Sequence, residues 1–265
     1  QYDDIMSTFD DIEQKNVLDI PLILEWNTWR AMTMLDGGTI TANLKFDDNG
    51  NPMSTALGNM ADILCDYDNY GLTVEVTTSK GQKQYEMESE PVSRHLAKYK
   101  KESGKDAYCL FIAPTINEAC IAHFFMLHKM NINFYGGKSV IVPIDIKTFK
   151  KMLTDSYKAS YLPNPQQVKS LFDYSLEIAE KVDNEIDWYT KVTEKALAEN
   201  IKKISNGAYG KKYNAKNGAA IVMNIKTGEV LALASYPDYE PELFVSGISQ
   251  SKLDEYNKNK NCYNW

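Results

Sequence analysis

Apolar residues recur at regular spacing through the first 190 residues of the chain. Spacings of three and four positions predict helices over residues 16–35, 53–66, 91–101, 116–130, 146–156 and 165–180. Short apolar or β-branched runs predict strands over residues 72–78, 107–113 and 139–144. Helices that alternate with buried strands are typical of the α/β class. We therefore expect a mixed sheet flanked by helices.

The pattern changes beyond about residue 190. Two apolar runs, over residues 219–225 and 230–235, flank the turn sequence Lys226-Thr227-Gly228-Glu229. Such a pair predicts a β-hairpin. The change in pattern predicts two parts, one domain over residues 1–190 and a second segment over residues 191–265.

Composition narrows the class of protein. Hydrophobic residues make up 43% of the chain and charged residues 25%, as in an ordinary globular protein. No apolar run approaches the roughly 20 residues of a membrane span, and no secretory signal pattern opens the chain. We therefore expect a cytoplasmic protein. Because residue 1 is Gln, we also expect a fragment or a processed start.

The cysteines give no sign of a metal site. They are Cys65, Cys109, Cys120 and Cys262. No two of them form a Cys-x-x-Cys pair, and the three histidines make no ligand pattern with them. We expect free thiols in a reducing compartment.

The formal net charge of −7 argues against a large DNA-binding surface. One basic run departs from this balance, and its members are Arg94, Lys98, Lys100, Lys101 and Lys105. Two interpretations stay open. These side chains could contact the phosphates of a DNA backbone, or they could form a solvated helix face.

Four carboxylates stand out by their spacing, and they are Glu25, Asp62, Glu75 and Glu88. Asp62 lies 13 residues before Glu75, and Glu88 lies 13 residues after it. Glu75 lies within the β-branched run 73–78, which predicts a strand. An acid on this strand and a second acid upstream, across a turn, could together bind a hard divalent cation. The array favours metal-assisted cleavage of a phosphodiester. The alternative is a set of solvated surface acids, since the chain has 36 Asp and Glu residues.

The sequence around these acids resembles a known family. Residues 74–95, which read VEVTTSKGQKQYEMESEPVSRH, are similar to the cleavage domain of the AlwI-type restriction endonucleases. These are type IIS enzymes, related to nicking endonucleases and their small subunits. Shorter similar stretches occur at 20–26, 58–62, 110–114 and 140–144, so the resemblance covers about residues 15–190. It implies a PD-(D/E)XK nuclease core that cleaves DNA with Mg²⁺, or with Mn²⁺ as a substitute.

The resemblance also implies roles for individual residues. Asp62 and Glu75 would be the main metal ligands, with the Val76 carbonyl as a further ligand. Glu25 and Glu88, expected on flanking helices, would orient the attacking water or hold a second ion.

Thr77 departs from the common Asp…Glu-x-Lys pattern of such nuclease cores. It stands where a lysine usually stabilises the developing charge, and threonine carries no charge. Gln84, Lys80 or Lys83 could substitute, and we include Gln84 among the catalytic candidates because Lys80-Gly81 reads as a turn. The AlwI-type pattern itself carries threonine at this position.

A partner follows from the same resemblance. Type IIS enzymes read double-stranded DNA with a separate domain and cut at a fixed distance. The residues before position 15 are too few to form that domain. The chain therefore resembles either an isolated cleavage domain or a small subunit, and we expect it to need a recognition domain or a large subunit.

The end of the chain resembles a different family. Residues 218–241, which read GAAIVMNIKTGEVLALASYPDYEP, look like the opening of a penicillin-binding protein transpeptidase domain. The segment Ser249-Gln250-Ser251-Lys252 has the Ser-x-x-Lys form of an acylated serine, but its place matches a segment upstream of that family's nucleophile. We therefore expect no acyl transfer. We hypothesise a fusion of two unrelated pieces, and the alternative function is an inactive fragment of a cell-wall transpeptidase.

Overall fold

The computed structural model describes residues 1–34, 37–158, 164–205, 218–223 and 230–236. The chain divides into two compact units, residues 1–199 and residues 200–265. The helices are α1 (Tyr2–Glu13), α2 (Ile20–Met32), α3 (Gly81–Ser103), α4 (Glu118–Lys129), α5 (Ile146–Lys158), α6 (Pro165–Lys181) and α7 (Glu185–Ser205).

The strands are β1 (Thr39–Ala42), β2 (Lys45–Phe46), β3 (Pro52–Ser54), β4 (Ile63–Asp66), β5 (Gly71–Val76), β6 (Ala107–Ala113), β7 (Ile141–Asp145), β8 (Gly218–Met223) and β9 (Val230–Tyr236). Five of them form one sheet in the order β1-β4-β5-β6-β7. The β1–β4 and β4–β5 pairs are antiparallel, whereas β5–β6 and β6–β7 are parallel. The predicted mixed sheet flanked by helices is therefore confirmed.

The parallel part of the sheet forms the centre of the core. Every residue of β6 is buried, as expected for a parallel strand covered on both faces. The α3 and α4 helices connect β5 to β6 and β6 to β7, and they pack on each other and on the sheet. Such crossovers share one hand, which places consecutive crossover helices in one layer. The α1, α2 and α5 helices form another packed group.

The helix predicted over residues 53–66 is wrong. The structure has β3, an extended connection and β4 there. Within β4, Ile63 and Cys65 are fully buried while Leu64 and Asp66 are more exposed, which is the alternation of a strand. Antiparallel partners on both sides, β1 and β5, satisfy its backbone.

The helix predicted over residues 91–101 begins too late. The α3 helix starts at Gly81, and Pro91 lies inside it rather than in its first turn. The residues from 82 to 90 include Gln, Lys, Met and Glu, which favour helix. Burial of Gln84 and Ser89 against the rest of the domain adds tertiary support for this first half.

Most of the other predicted elements are present with small shifts in their ends. The strand over 107–113 is confirmed to the residue. The helix predicted over 16–35 begins at Ile20, where the Asp19 side chain accepts a hydrogen bond of 3.0 Å from the Leu22 amide. No element was predicted for α1, β1 or β2.

Within the second unit, β8 and β9 pair antiparallel, which confirms the predicted hairpin. The turn at 226–229 and the segment 249–252 lie outside the described residues. Cys65, Cys109 and Cys120 are free, as predicted, and all three are buried. Among the described residues, none of the helices has both the length and the apolar character needed to cross a membrane.

Candidate active site

Four carboxylates reach the same part of the first unit from four places in the fold. Glu25 lies in α2, Asp62 directly before β4, Glu75 in β5 and Glu88 in α3. Glu25 and Glu75 are only 4% and 6% exposed. Asp62 and Glu88 are half-buried. The expected positions of Glu25 and Glu88 on flanking helices are thus observed, whereas Asp62 lies on a connection and not on a helix.

The connection between β3 and β4, residues 55–62, joins two of the other acids, and we call it the strap. At its end, Asp62 Oδ2 accepts a hydrogen bond of 2.7 Å from the Val76 amide. Near its start, the Ala56 amide donates a hydrogen bond of 2.9 Å to Glu25 Oε1. The strap therefore holds Asp62 beside the end of β5 and covers the Glu25 carboxylate.

His95 contacts Glu75, and the sequence predictions missed it. Its Nδ1 lies 2.9 Å from Glu75 Oε1. His95 Nε2 is buried without a hydrogen-bond partner among the described residues. One sequence signal was available, because His95 follows Glu88 by seven residues and so shares its face of α3.

Thr77 supports Glu88. The Thr77 hydroxyl donates a hydrogen bond of 2.6 Å to Glu88 Oε1 and accepts one of 3.0 Å from the Ser79 amide. Glu75 and Thr77 both meet side chains of α3, as expected from alternation along β5. The residue in the usual lysine position is therefore a neutral donor to a carboxylate.

The electrostatics of the acids reflect their burial and proximity. Burial raises the pKa of Glu25 to about 7, against the opposing hydrogen bond from Ala56. Burial, followed by the charges of Glu75 and Glu25, raises the pKa of Asp62. Burial, followed by the charges of Glu88 and Glu25, raises the pKa of Glu75. In the described ranges, none of these four carboxylates forms an ion pair with a lysine or arginine.

Comparison with known proteins identifies the family. The sequence profile of the AlwI restriction endonuclease family matches residues 9–152, more than half of the chain. The chain belongs to the AlwI restriction endonuclease family. All four carboxylates lie within the matched range.

A solved structure supports the AlwI assignment. It is the small subunit of the heterodimeric restriction endonuclease R.BspD6I, with a TM-score of 0.59 and 26% sequence identity. The similarity covers 73% of this chain and 98% of that subunit.

A second match is short. Penicillin-binding protein 3 of Bacillus subtilis (strain 168) is 47% identical over 45 residues. The match spans 17% of this chain and only 7% of that protein. The recognised likeness to penicillin-binding proteins is therefore partial.

Gln84, a predicted catalytic residue of this AlwI family member, is fully buried and bonded to backbone. Its Nε2 donates hydrogen bonds of 2.8 Å to the Ser79 carbonyl and 2.9 Å to the Thr115 carbonyl. Its Oε1 accepts one of 2.8 Å from the Asn117 amide. The amide thus ties together the chain segments after β5 and β6, and these hydrogen bonds go to backbone rather than to the four acids. A catalytic role for Gln84 stays a prediction.

The five basic residues predicted to contact DNA lie on α3 or just after it: Arg94, Lys98, Lys100, Lys101 and Lys105. Arg94 and Lys98 both donate to Asn59 of the strap. The Lys100 ammonium donates to the Lys138 carbonyl at 2.6 Å, and Lys105 lies 2.6 Å from Asp66 Oδ1. Lys101 is exposed. Four of the five charged groups therefore have partners within the protein, and contact with DNA stays a prediction.

The donor set of this AlwI family member fits a hard divalent cation. Mg²⁺ is usually held by one or two carboxylates, with water and substrate phosphates in its other positions. Asp62 and Glu75 are two such carboxylates, and among the described residues neither forms an ion pair with a lysine or arginine. In the part of the chain that the structure describes, no group of three His, Cys, Asp or Glu side chains is placed to bind a metal. Any ion would therefore depend on water and substrate for its remaining ligands.

Proposed function

We propose that this AlwI family member is a divalent-metal-dependent DNA endonuclease, of the type IIS restriction or nicking kind. The observation that carries the proposal is the convergence of four acids, where burial and the charges of neighbouring carboxylates raise the pKa of Asp62 and of Glu75. Desolvation of several carboxylates at one place is costly unless they bind protons or a cation neutralises them. The membership of a restriction endonuclease family supports the same reaction.

In the proposed site, Asp62, Glu75 and the Val76 carbonyl would hold Mg²⁺, or Mn²⁺ as a substitute. When bound, the ion would stabilise charge on the scissile phosphate and make hydroxide available near neutral pH. Burial lowers the pKa of His95, which favours its neutral form. If its Nδ1 carries the proton and donates it to Glu75, the buried Nε2 is left as an acceptor without a partner among the described residues.

Glu25 and Glu88 would act on the attacking water. Glu88 is held by the Thr77 hydroxyl, which fixes one of its oxygens and leaves the other for the water. Glu25 has a pKa of about 7, so it can bind or release a proton near neutral pH. Thr77 therefore holds Glu88 by a hydrogen bond, whereas the usual lysine would supply a positive charge.

We further propose that the chain acts with a partner on double-stranded DNA. The structural neighbour is one subunit of a heterodimeric restriction endonuclease. A recognition domain or a large subunit would supply sequence specificity, and a cytoplasmic location would follow from that role.

Calorimetric titration with Mn²⁺ tests the metal site in the chain alone. Wild type should bind Mn²⁺, and Asp62→Asn/Glu75→Gln should lose binding because it removes both carboxylates. Glu86→Gln is the matched control, since Glu86 is an exposed acid of α3. A plasmid-nicking assay on the same proteins, with Mg²⁺ and with the recognition domain or large subunit supplied, should show nicking by wild type and the control only. If wild type neither binds Mn²⁺ nor nicks DNA, the proposed function is wrong.

The C-terminal segment is a separate question. We propose that it carries no acyltransferase activity, because the short match to penicillin-binding protein 3 spans so little of that protein. Incubation with a fluorescent penicillin should give no covalent adduct. A labelled band that resists denaturation would contradict this proposal.

A further inference from the structure

The strap also contacts α3, in addition to its hydrogen bonds with Val76 and Glu25. Arg94 donates a hydrogen bond from Nη1 to Asn59 Oδ1. Lys98, one helical turn further along, donates from Nζ to the Asn59 carbonyl at 3.2 Å. One residue of the strap therefore accepts hydrogen bonds from two cations of the same helix.

The backbone at Asn59 limits which residues can stand there. Its φ is 72°, in the left-handed region. Asn and Asp enter this region more readily than other non-glycine residues. Glycine would also fit the conformation but has no side-chain oxygen to accept from Arg94. Asn59 thus meets two requirements at once, a left-handed turn and a hydrogen-bond acceptor aimed at α3.

The helix side of this contact is itself fixed. The Arg94 Nε donates to Glu90 at 3.0 Å, so its planar guanidinium is held on two sides. His95, the neighbour of Arg94 in the sequence, contacts Glu75. A contact that fixes Arg94 against the strap therefore acts next to the histidine of the site.

The opposite side of the strap is tied to the sheet. The Asn43 backbone amide donates a hydrogen bond of 2.9 Å to the Asp62 carbonyl. The Asn43 side chain donates a second hydrogen bond to the Ala61 carbonyl. These bonds fix the strap relative to β1 and β4. Only the Asn59 contacts, among those described here, fix it relative to α3.

We propose that Asn59 is a positioning residue for the Asp62 carboxylate. By accepting from Arg94 and Lys98, it sets the place of the strap relative to the helix that carries Glu88 and His95. The inference rests on the proposed function for its importance in cleavage, but the positioning itself can be measured without metal or DNA.

Amide hydrogen exchange at Val76 reports the position of Asp62, because the Val76 amide donates to that carboxylate. In Asn59→Gly, which keeps the backbone conformation and removes the acceptor, the Val76 amide should exchange about tenfold faster. Asn59→Asp keeps an acceptor oxygen and should restore slow exchange. Gly58→Ala is the matched control on the strap, since an added Cβ there meets no atom within 4 Å.

A double-mutant comparison separates this role from general loosening of the strap. Arg94→Ala should speed Val76 exchange as Asn59→Gly does, and the double variant should add little to either, because both remove one contact. Exchange at core amides of β6 should be unchanged in all of these variants. Additive effects, or unchanged Val76 exchange in Asn59→Gly, would overturn the inference.

Mn²⁺ titration then connects positioning with the proposed metal site. Asn59→Gly should bind Mn²⁺ about tenfold more weakly than wild type, as is typical when support for a ligand is lost, and Asn59→Asp should recover affinity. If wild type binds no Mn²⁺, the proposed function fails while Val76 exchange still decides the role of Asn59. If wild type and Asn59→Gly bind equally well, a contribution of Asn59 to the metal site is wrong and the proposed function stands.

Discussion

Substitution of Glu25 by glutamine offers a direct test of the electrostatics of the site. Glutamine has nearly the volume of glutamate and keeps an oxygen that can accept from the Ala56 amide. The change therefore leaves packing largely intact and removes one group that binds a proton.

The magnitude follows from the raised pKa of Glu25, which moves from 4.5 to about 7 in the folded chain. Between these values the folded protein keeps a proton that the unfolded chain has released. Because the folded state binds more protons, the free energy of unfolding falls as the pH rises through this window. At about 1.4 kcal/mol for each pH unit, the loss is about 3 kcal/mol. It is absent below the window and complete above it.

Urea unfolding in the presence of a chelator measures this loss. Across the window, the free energy of unfolding of Glu25→Gln should rise relative to wild type by about 3 kcal/mol. Glu86→Gln, the same substitution at an exposed site, should show no such trend. A constant difference between Glu25→Gln and wild type at every pH would refute the reasoning, because it would show that burial does not favour the protonated carboxyl.

Three further predictions concern single contacts. Thr77→Val removes the donor to Glu88, so the rate of plasmid nicking should fall about tenfold or more. Thr77→Ser keeps the hydroxyl and should stay near wild type. Equal nicking rates for Thr77→Val and wild type would argue against a role for this contact. Gly71→Ala places a Cβ 2.1 Å from Tyr99 Cε1, so urea unfolding should show a loss of about 1–3 kcal/mol, and a neutral result would mean that the ring can move aside. Trp188→Ala empties a fully buried site and removes a hydrogen bond to the Ser175 carbonyl, so a loss of about 3–5 kcal/mol is expected by the same assay; a loss below about 1 kcal/mol would show that the core refills the space.

Sequence patterns predicted the central elements well because burial there is continuous. The run Ala107–Ala113 is apolar throughout, and the structure buries all of it in β6. The region around Asp62 was harder, since β4 has only four residues and its apolar positions fit helix spacing as well as strand spacing. Its partners, β1 and β5, decide the outcome, and pairing between distant strands is not visible in a local pattern.

The candidate acids could be chosen from the sequence because their types and spacing follow a family pattern. The contacts that these acids make could not be predicted from the sequence. His95 was missed because a single histidine on a helix carries little information until the strand opposite it is known. The partners of the basic residues were equally hidden, since the charge run gave no sign that Arg94 and Lys98 would donate hydrogen bonds to the strap. Those partners come from loops whose path depends on the complete fold.

Pro91 lies inside α3, between Glu88 and His95. Proline has no amide hydrogen, so the helix lacks the bond that would otherwise reach the Met87 carbonyl. Glu88 and its Thr77 contact lie on one side of Pro91, and His95 with its Glu75 contact lies on the other. The missing hydrogen bond therefore falls between the two side chains that meet the end of β5. Each of these contacts is made from its own half of the helix.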